Sequence, residues 1–225
     1  MFLYETHVHT SSVSACAVST GTEQVRAYKA RGYTGIIVTD HFFSGNIRYI
    51  STSRWDKKIE FFESGYNEAK KTGDKIGLDV FFGWEYTIYG SDFLTYGLGT
   101  DFLLANPRLG STVRIEEYSR LVRANGGYLA QAHPFREAYW IHSPKAVDPD
   151  YIDGVEVINC NMTDSCNDKA FRFAKKNSLP MQAGSDSHEA GSYYGLSGIM
   201  LRKRAKNIHD IIDAIKNGTA ELIMP

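Results

Sequence analysis

The chain reads as one closed α/β barrel with its functional groups gathered at one end. Short apolar, strand-like runs alternate with amphipathic helical stretches along the 225 residues, the order expected of a parallel sheet covered by helices. Four of these runs end in histidine, paired with another His or an Asp or alone, and a fifth ends in Glu. Groups at the ends of so many strands meet only where the sheet closes on itself, because an open doubly wound sheet offers one crevice served by few strands.

The first run, Phe2 to Thr6, leads into His7-Val8-His9 and predicts a strand near 2–8. Residues two apart on a strand share a face, so two imidazoles can grip one ion. A helix follows over 20–31, opened by Thr20/Thr22 with Glu23 in its first turn and stopped by Gly32. The next strand, near 34–39, ends in Asp40-His41. Adjacent side chains diverge, so His41 is the expected ligand, and Asp40 is a further candidate that either orients an imidazole or caps the following turn.

A helix over 53–72 precedes strands near 78–87 and 92–97. The first of these is the most aromatic of the chain and ends in Trp84-Glu85. An unpaired carboxylate there would cost several kcal/mol, and its two oxygens suit it to bridging two cations. A helix over 114–125 leads to a strand near 127–132, closed by His133-Pro134, since proline cannot continue the ladder. Arg136, just beyond, offers a planar fork suited to phosphate, with Arg48 and Arg54 as lesser candidates.

A strand near 154–158, a helix over 164–177 and a strand near 180–184 bring in Gly184-Ser185-Asp186-Ser187-His188. It repeats the two-apart geometry with one carboxylate and one imidazole, after a glycine that marks a close backbone approach. A strand near 197–201 and a helix over 207–217, from Asn207 to Gly218, complete the order. His142 and His209 lie away from any strand end and are left out of the site.

A content of 43% hydrophobic residues is enough for a core shared by residues 1–225 as a single domain. A net charge of −1, from 25 basic and 26 acidic residues, gives no field favouring nucleic acid or an anionic membrane. Nucleic acid therefore enters only as a possible substrate. No stretch approaches the roughly 18 apolar residues of a membrane span. Three cysteines, and a start at MFLYETHVHT without a basic then apolar leader, predict a reduced, cytoplasmic setting.

The motifs His7-Val8-His9-Thr10-Ser11-Ser12, Thr39-Asp40-His41, Trp84-Glu85, Ala132-His133-Pro134 and Gly184-Ser185-Asp186-Ser187-His188 stand in an order that resembles PHP-domain proteins, the polymerase and histidinol phosphatase family. The resemblance spans residues 7 to 188. It implies a distorted seven-stranded, TIM-like βα barrel holding two or three divalent ions, zinc, manganese or iron, and a phosphoesterase activity. Carried over by position, it assigns His7, His9, Glu85 and Asp186 to one ion. Glu85 and His133 hold a second, and His41 with His188 a third.

Two departures stand out. Where the family pattern has an Asp after the second histidine, this chain reads Ser14-Ala15-Cys16-Ala17, so the third ion lacks a carboxylate unless Cys16 supplies a thiolate. Where many relatives have a histidine before Tyr96-Gly97, this chain has Asp92, either a hard oxygen ligand or a plain turn residue.

The expected activity is hydrolysis of a phosphate ester, a small monoester, a nucleotide or an oligonucleotide, by water that the ions activate. Glu85, Asp186, His188 and Arg136 are the expected catalytic groups. Two other readings stay open: an amidohydrolase-like carbon–nitrogen hydrolase, which would call for a carboxylated lysine at a strand end, and a non-catalytic PHP module.

Overall fold

The computed structural model of the chain describes residues 1–137, 141, 145–191 and 197–224; His142 lies outside them. Strands β1 (Phe2–Val8), β2 (Gly35–Val38), β3 (Asp79–Ile88), β4 (Ser91–Tyr96), β5 (Tyr128–Gln131), β6 (Gly154–Asn159), β7 (Met181–Gly184), β8 (Gly198–Leu201) and β9 (Glu221–Ile223) form one sheet. Their order is β7-β6-β5-β4-β3-β2-β1-β8-β9.

The sheet curls until its β7 end meets β1. Ser187, just past β7, pairs in parallel with Val8, through Ser187 N–H to the His7 carbonyl at 3.1 Å and His9 N–H to the Ser187 carbonyl at 2.9 Å. Lower on the same seam the Thr6 hydroxyl donates to the Ala183 carbonyl. The result is a nearly closed barrel with β8 and β9 continuing outside β1. Among the described residues the sheet has nine strands, against the eight segments read from the sequence and the seven that the family resemblance implies.

The expectation of a parallel βαβ order throughout is corrected at two places. β3 and β4 form an antiparallel hairpin closed by Tyr89 and Gly90, both at positive φ (48° and 83°), and β4 is antiparallel to β5 as well. Two residues cannot span a parallel crossover, so this stretch had to fold back on itself. β8 runs antiparallel to β1, and β9, which the sequence reading did not contain, antiparallel to β8.

The helices begin and end where capping chemistry allows. α1 (Gly21–Ala30) starts with a capping box between Thr20 and Glu23. α2 (Trp55–Ile76) passes the expected end at 72 and stops at Gly77, whose φ of 73° ends it in the left-handed conformation. α3 (Thr100–Ala105) has six residues, too few to show a periodic pattern in the sequence. α4 (Ile115–Ala124) and α5 (Asp164–Lys176) match their expected ranges within a residue or two. α6 (Ile208–Lys216) has a second capping box, Asn207 with Asp210.

Aromatic rings from β3 and its neighbours build the largest core cluster. Phe42, Phe62, Trp84, Tyr86, Phe93, Phe102 and Tyr118 all belong to it. A second cluster joins Tyr4, Tyr96, Tyr128 and Ile199 to Ile211, Ile212 and Ile215 of α6. Among the described residues no helix is long and apolar enough to cross a membrane.

Tyr118 holds α4 to the strand that carries Glu85. Its fully buried hydroxyl accepts from Trp84 Nε1 at 2.7 Å and lies 2.8 Å from the Thr95 hydroxyl. Tyr118→Phe leaves the indole N–H buried without a partner and should lower unfolding stability by about 1–3 kcal/mol in urea titration. A change below about 0.5 kcal/mol would mean that the indole finds another acceptor.

Candidate metal centre

At the end of the barrel where the parallel strands finish, the sheet brings the five sequence motifs into contact. Past β2, His41 pairs with Glu85 of β3, with Glu85 N–H donating to the Asp40 carbonyl and Phe42 N–H to the Glu85 carbonyl. Past β1 and β7, the Val8–Ser187 pairing sets His7 and His9 beside Asp186 and His188. Gly184 lies where this seam is tightest: a Cβ there would come within 2.6 Å of Glu156 Oε1 and 2.8 Å of His7 Cβ. That is the close approach anticipated for this glycine.

Glu85 and Asp186 are at the centre. Glu85 Oε1 lies 3.6 Å from His7 Nε2 and 3.2 Å from His133 Nε2. Its other oxygen, Oε2, lies 3.4 Å from His9 Nε2 and 2.7 Å from His41 Nδ1. Asp186 Oδ1 is 3.4 Å from His7 Nε2, 3.0 Å from His9 Nε2 and 3.5 Å from His188 Nδ1. The two oxygens of Glu85 thus face opposite halves of the cluster.

Four sets of donor atoms converge closely enough to share an ion. They are His7, His9 and Glu85; His7, His133 and Asp186; Glu85, Asp92 and His133; and His9, His41 and His188. Asp92, mostly buried, accepts from the Thr87 hydroxyl at 2.7 Å with one oxygen and lies 3.8 Å from Arg136 with the other. Asp40 lies outside these sets. Its carboxylate is taken up by Thr10 N–H at 2.6 Å, the Thr10 hydroxyl at 2.7 Å and the Ser14 hydroxyl at 2.6 Å.

These surroundings decide which imidazole nitrogens stay bare. His7 Nδ1 donates to Glu156 at 3.0 Å. Ser14 gives its own proton to Asp40, so at 3.1 Å it accepts from His9 Nδ1. With both Nδ1 protons committed, His7 Nε2 and His9 Nε2 turn lone pairs toward each other across 3.1 Å. Two lone pairs repel unless a cation or, in its absence, a proton on His7 lies between them.

Orphaned polar atoms point the same way. Seven buried side-chain atoms among the described residues lack a hydrogen-bond partner, and five are in this cluster: His41 Nδ1, both oxygens of Glu85, His133 Nε2 and Asp186 Oδ1. They lie close to one another without the alignment of hydrogen bonds, as ligand atoms around an ion do. The backbone is strained at two of the same residues, with φ of 27° at His133 and 52° at Asp186.

Charge without a cation is balanced only by protons. Burial opposes ionisation of Glu85, yet His41, His7 and His133 hold its carboxyl well below the usual range. Asp186 is likewise held low, against burial, by His7 and His9. Burial disfavours the charged form of His7, but Glu156, Asp186 and Glu85 raise it well above an ordinary histidine. His9 is pushed well below by burial and by His41 and His188. A carboxylate and imidazole set this crowded fits divalent ions, whose charge replaces those protons.

Several members of the site were not singled out in the sequence. Glu156 on β6 accepts from His7, from His133 N–H at 3.1 Å and from Asn159 Nδ2 at 2.8 Å. Gln24 of α1 donates to the carbonyls of His9 and Ser187, tying two ligand segments together. Asn161 donates to the Asp186 carbonyl at 2.7 Å. The partners lie up to 163 residues apart in the chain, so no local pattern announces them.

A cavity of about 810 Å³ opens onto the cluster, lined by Cys16, His41, Asp92, Arg136, Asp186 and His188 among others. Arg48 and Arg54 are not among its lining residues, and Arg54 is paired with Asp56. The exposed His209 on α6 has its N–H on its own helix cap, at Asn207. Burial opposes ionisation of the Cys16 thiol, but hydrogen bonds with His188 and His41 bring it down to about 6.

A family model described as PHP-associated matches residues 165–220, which run from α5 through Asp186 and His188 to the end of α6. None of the curated proteins matches the chain in sequence. Among solved structures, one from Bacteroides vulgatus, a two-domain protein containing a predicted PHP-like metal-dependent phosphoesterase, superposes with a TM-score of 0.72 at 14% identity over 99% of this chain and 64% of its own. One from Bifidobacterium adolescentis, provisionally described as a metal-dependent phosphoesterase, gives 0.60 at 15% identity over 94% of both chains. An amidohydrolase from Chromobacterium violaceum with bound sulfate gives 0.62 at 14% identity over 94% of this chain and 96% of its own. At such identities the structural likeness is one of fold; with the family model it supports a PHP family protein.

Glu156→Gln keeps the shape but weakens the acceptor that orients His7. Affinity for Zn²⁺ or Mn²⁺, measured by competition with a chromophoric chelator, should fall about 10- to 100-fold. Unchanged affinity would remove Glu156 from the support of the centre.

Proposed function

We propose that this chain, of PHP type throughout its fold, is a metal-dependent phosphoesterase that hydrolyses a phosphate ester with activated water. The observation that carries the reading is the bare, convergent donor set around Glu85 and Asp186 at the floor of an open cavity. His7, His9, Glu85 and Asp186 would hold one ion, Glu85 and His133 with Asp92 a second, and His41 with His188 a third. Zinc, manganese and iron all suit nitrogen and oxygen donors of this kind. When bound, such ions supply Lewis acidity toward phosphoryl oxygens and an activated water.

The chain's own groups bind and orient. Arg136 lies on the cavity wall beside Asp92, where its fork can take the peripheral oxygens of a phosphate. Glu156 and the Ser14–Asp40 pair keep His7 and His9 turned inward with their Nδ1 protons committed. His188 is fixed by its Nδ1 contact to the Asp186 carbonyl at 2.8 Å, which leaves Nε2 at the cavity mouth. That nitrogen, 3.1 Å from Cys16 Sγ, would be held for the third ion. The substrates of this reading are a small phosphomonoester, a nucleotide or an oligonucleotide, with no membrane involved.

A carbon–nitrogen hydrolase is the second reading, favoured by the fold shared with the amidohydrolase. Against it, no lysine is among the described residues lining the cavity, and Glu85 belongs to two of the convergent donor sets.

A chelator should abolish phosphate release, and Mn²⁺ or Zn²⁺ should restore it; turnover that survives chelation would point to a side-chain nucleophile. Glu85→Gln should lower hydrolysis by at least about 100-fold and reduce bound metal, since an amide cannot bridge two cations as an anion does. Normal turnover in that variant would remove Glu85 from the reaction. Arg136→Ala should raise KM for a phosphomonoester on the order of 10- to 100-fold with a smaller change in kcat, the loss of a charged hydrogen bond made equally to bound substrate and transition state. Unaltered kinetics would place the phosphate elsewhere.

A further inference from the structure

The third position of the centre is chemically unlike the other two. His9, His41 and His188 bring their donor nitrogens together with no carboxylate among them, and the rings of His41 and His188 each lie 4.4 Å from that of His9. His41 Nδ1, 2.7 Å from Glu85 Oε2, is buried without an aligned hydrogen-bond partner, on a residue only 8% exposed. The group that faces this trio from the β1–α1 segment is a sulfur: Cys16 Sγ lies 3.1 Å from His188 Nε2.

Cys16 is held in place on both sides. Ala15 N–H donates to the Asn46 carbonyl at 2.9 Å, and Val18 and Ser19 N–H groups donate to the His188 carbonyl at 2.9 and 3.2 Å. Ser14 bonds to Asp40 and accepts from His41 N–H. The segment therefore keeps the sulfur against the two histidines it would have to serve. The other two cysteines are placed differently. Cys166 takes the Thr163 hydroxyl at the start of α5, and Cys160 sits at the end of β6.

We propose that Cys16 serves as a thiolate ligand of the third metal position, together with His41 and His188. The inference rests on the metal reading above. The thiol proton leaves to solvent as the metal binds, and the sulfur supplies the negative charge that the missing carboxylate would have brought. A sulfur and nitrogen donor set selects zinc or another borderline-soft ion and disfavours magnesium and manganese. The sets built around Glu85, Asp92 and Asp186 each include at least one carboxylate oxygen, so the centre would sort ions by softness across a few ångströms.

Cobalt reports the sulfur directly. Metal-free protein titrated with Co²⁺ should develop a near-ultraviolet sulfur-to-cobalt absorption band, lost in Cys16→Ser and kept in Cys166→Ser. In the unaltered chain, Zn²⁺ should slow alkylation of Cys16 by iodoacetamide at least about tenfold, because a metal-bound sulfur is a poorer nucleophile. Cobalt uptake with visible bands but no sulfur band, a band that survives Cys16→Ser, or alkylation that ignores Zn²⁺ would each overturn the thiolate ligand and leave the metal centre standing. A protein that takes up no cobalt would overturn both.

Discussion

Two buried carboxylates that share one pocket with five imidazoles set the terms for this end of the molecule. Glu85 is wholly buried and Asp186 nearly so, and neither finds a hydrogen-bond donor aligned with the oxygens that face the pocket. A buried charge left this way costs several kcal/mol, so the fold is stable in this form only if cations or protons neutralise it. His7, His41 and His133, though not His9, favour the protonated form in the ion-free state, and a divalent ion would release those protons. Closure of the sheet is what imposes the problem, since it forces strand ends from both halves of the chain into one place.

The rest of the barrel holds that arrangement rigid. Glu5, buried in β1, accepts from His7 N–H, Ser185 N–H and the Ser185 and Tyr28 hydroxyls, and so welds the seam between β1 and the segment after β7. Burial pushes its carboxyl up to about 7, even with those donors in place. Glu156, Asp40 and Gln24 carry the same function outward, each fixing a ligand ring or a ligand's backbone without facing the pocket themselves. A centre of this kind depends on its second layer as much as on its ligands, because an imidazole turned by a few tens of degrees no longer presents a lone pair.

The candidate ligands were legible because each sits at a strand end, where an apolar run stops at a polar residue, and because two of the pairs have the two-apart spacing of a strand face. His7, His9, His41, Glu85, His133, Asp186 and His188 all meet in the structure, and Asp92 and Cys16 lie at its edge. What could not be read was long-range. Glu156 looks like any strand glutamate until β6 is laid beside β7 and His7. The hairpin at Tyr89–Gly90 was legible in principle, since no crossover fits between two strands so close, yet the dominant βαβ rhythm hid it. α3 and β9, six and three residues long, are too short for any periodicity to show.

Anomalous X-ray scattering from crystals grown with Zn²⁺ or Mn²⁺ tests the central claim most directly. The account predicts at least two strong peaks within bonding distance of the Glu85 carboxylate, one on the His7, His9 and Asp186 side and one on the His133 side. Crystals soaked in either ion that show no peak touching Glu85 or Asp186 would contradict it.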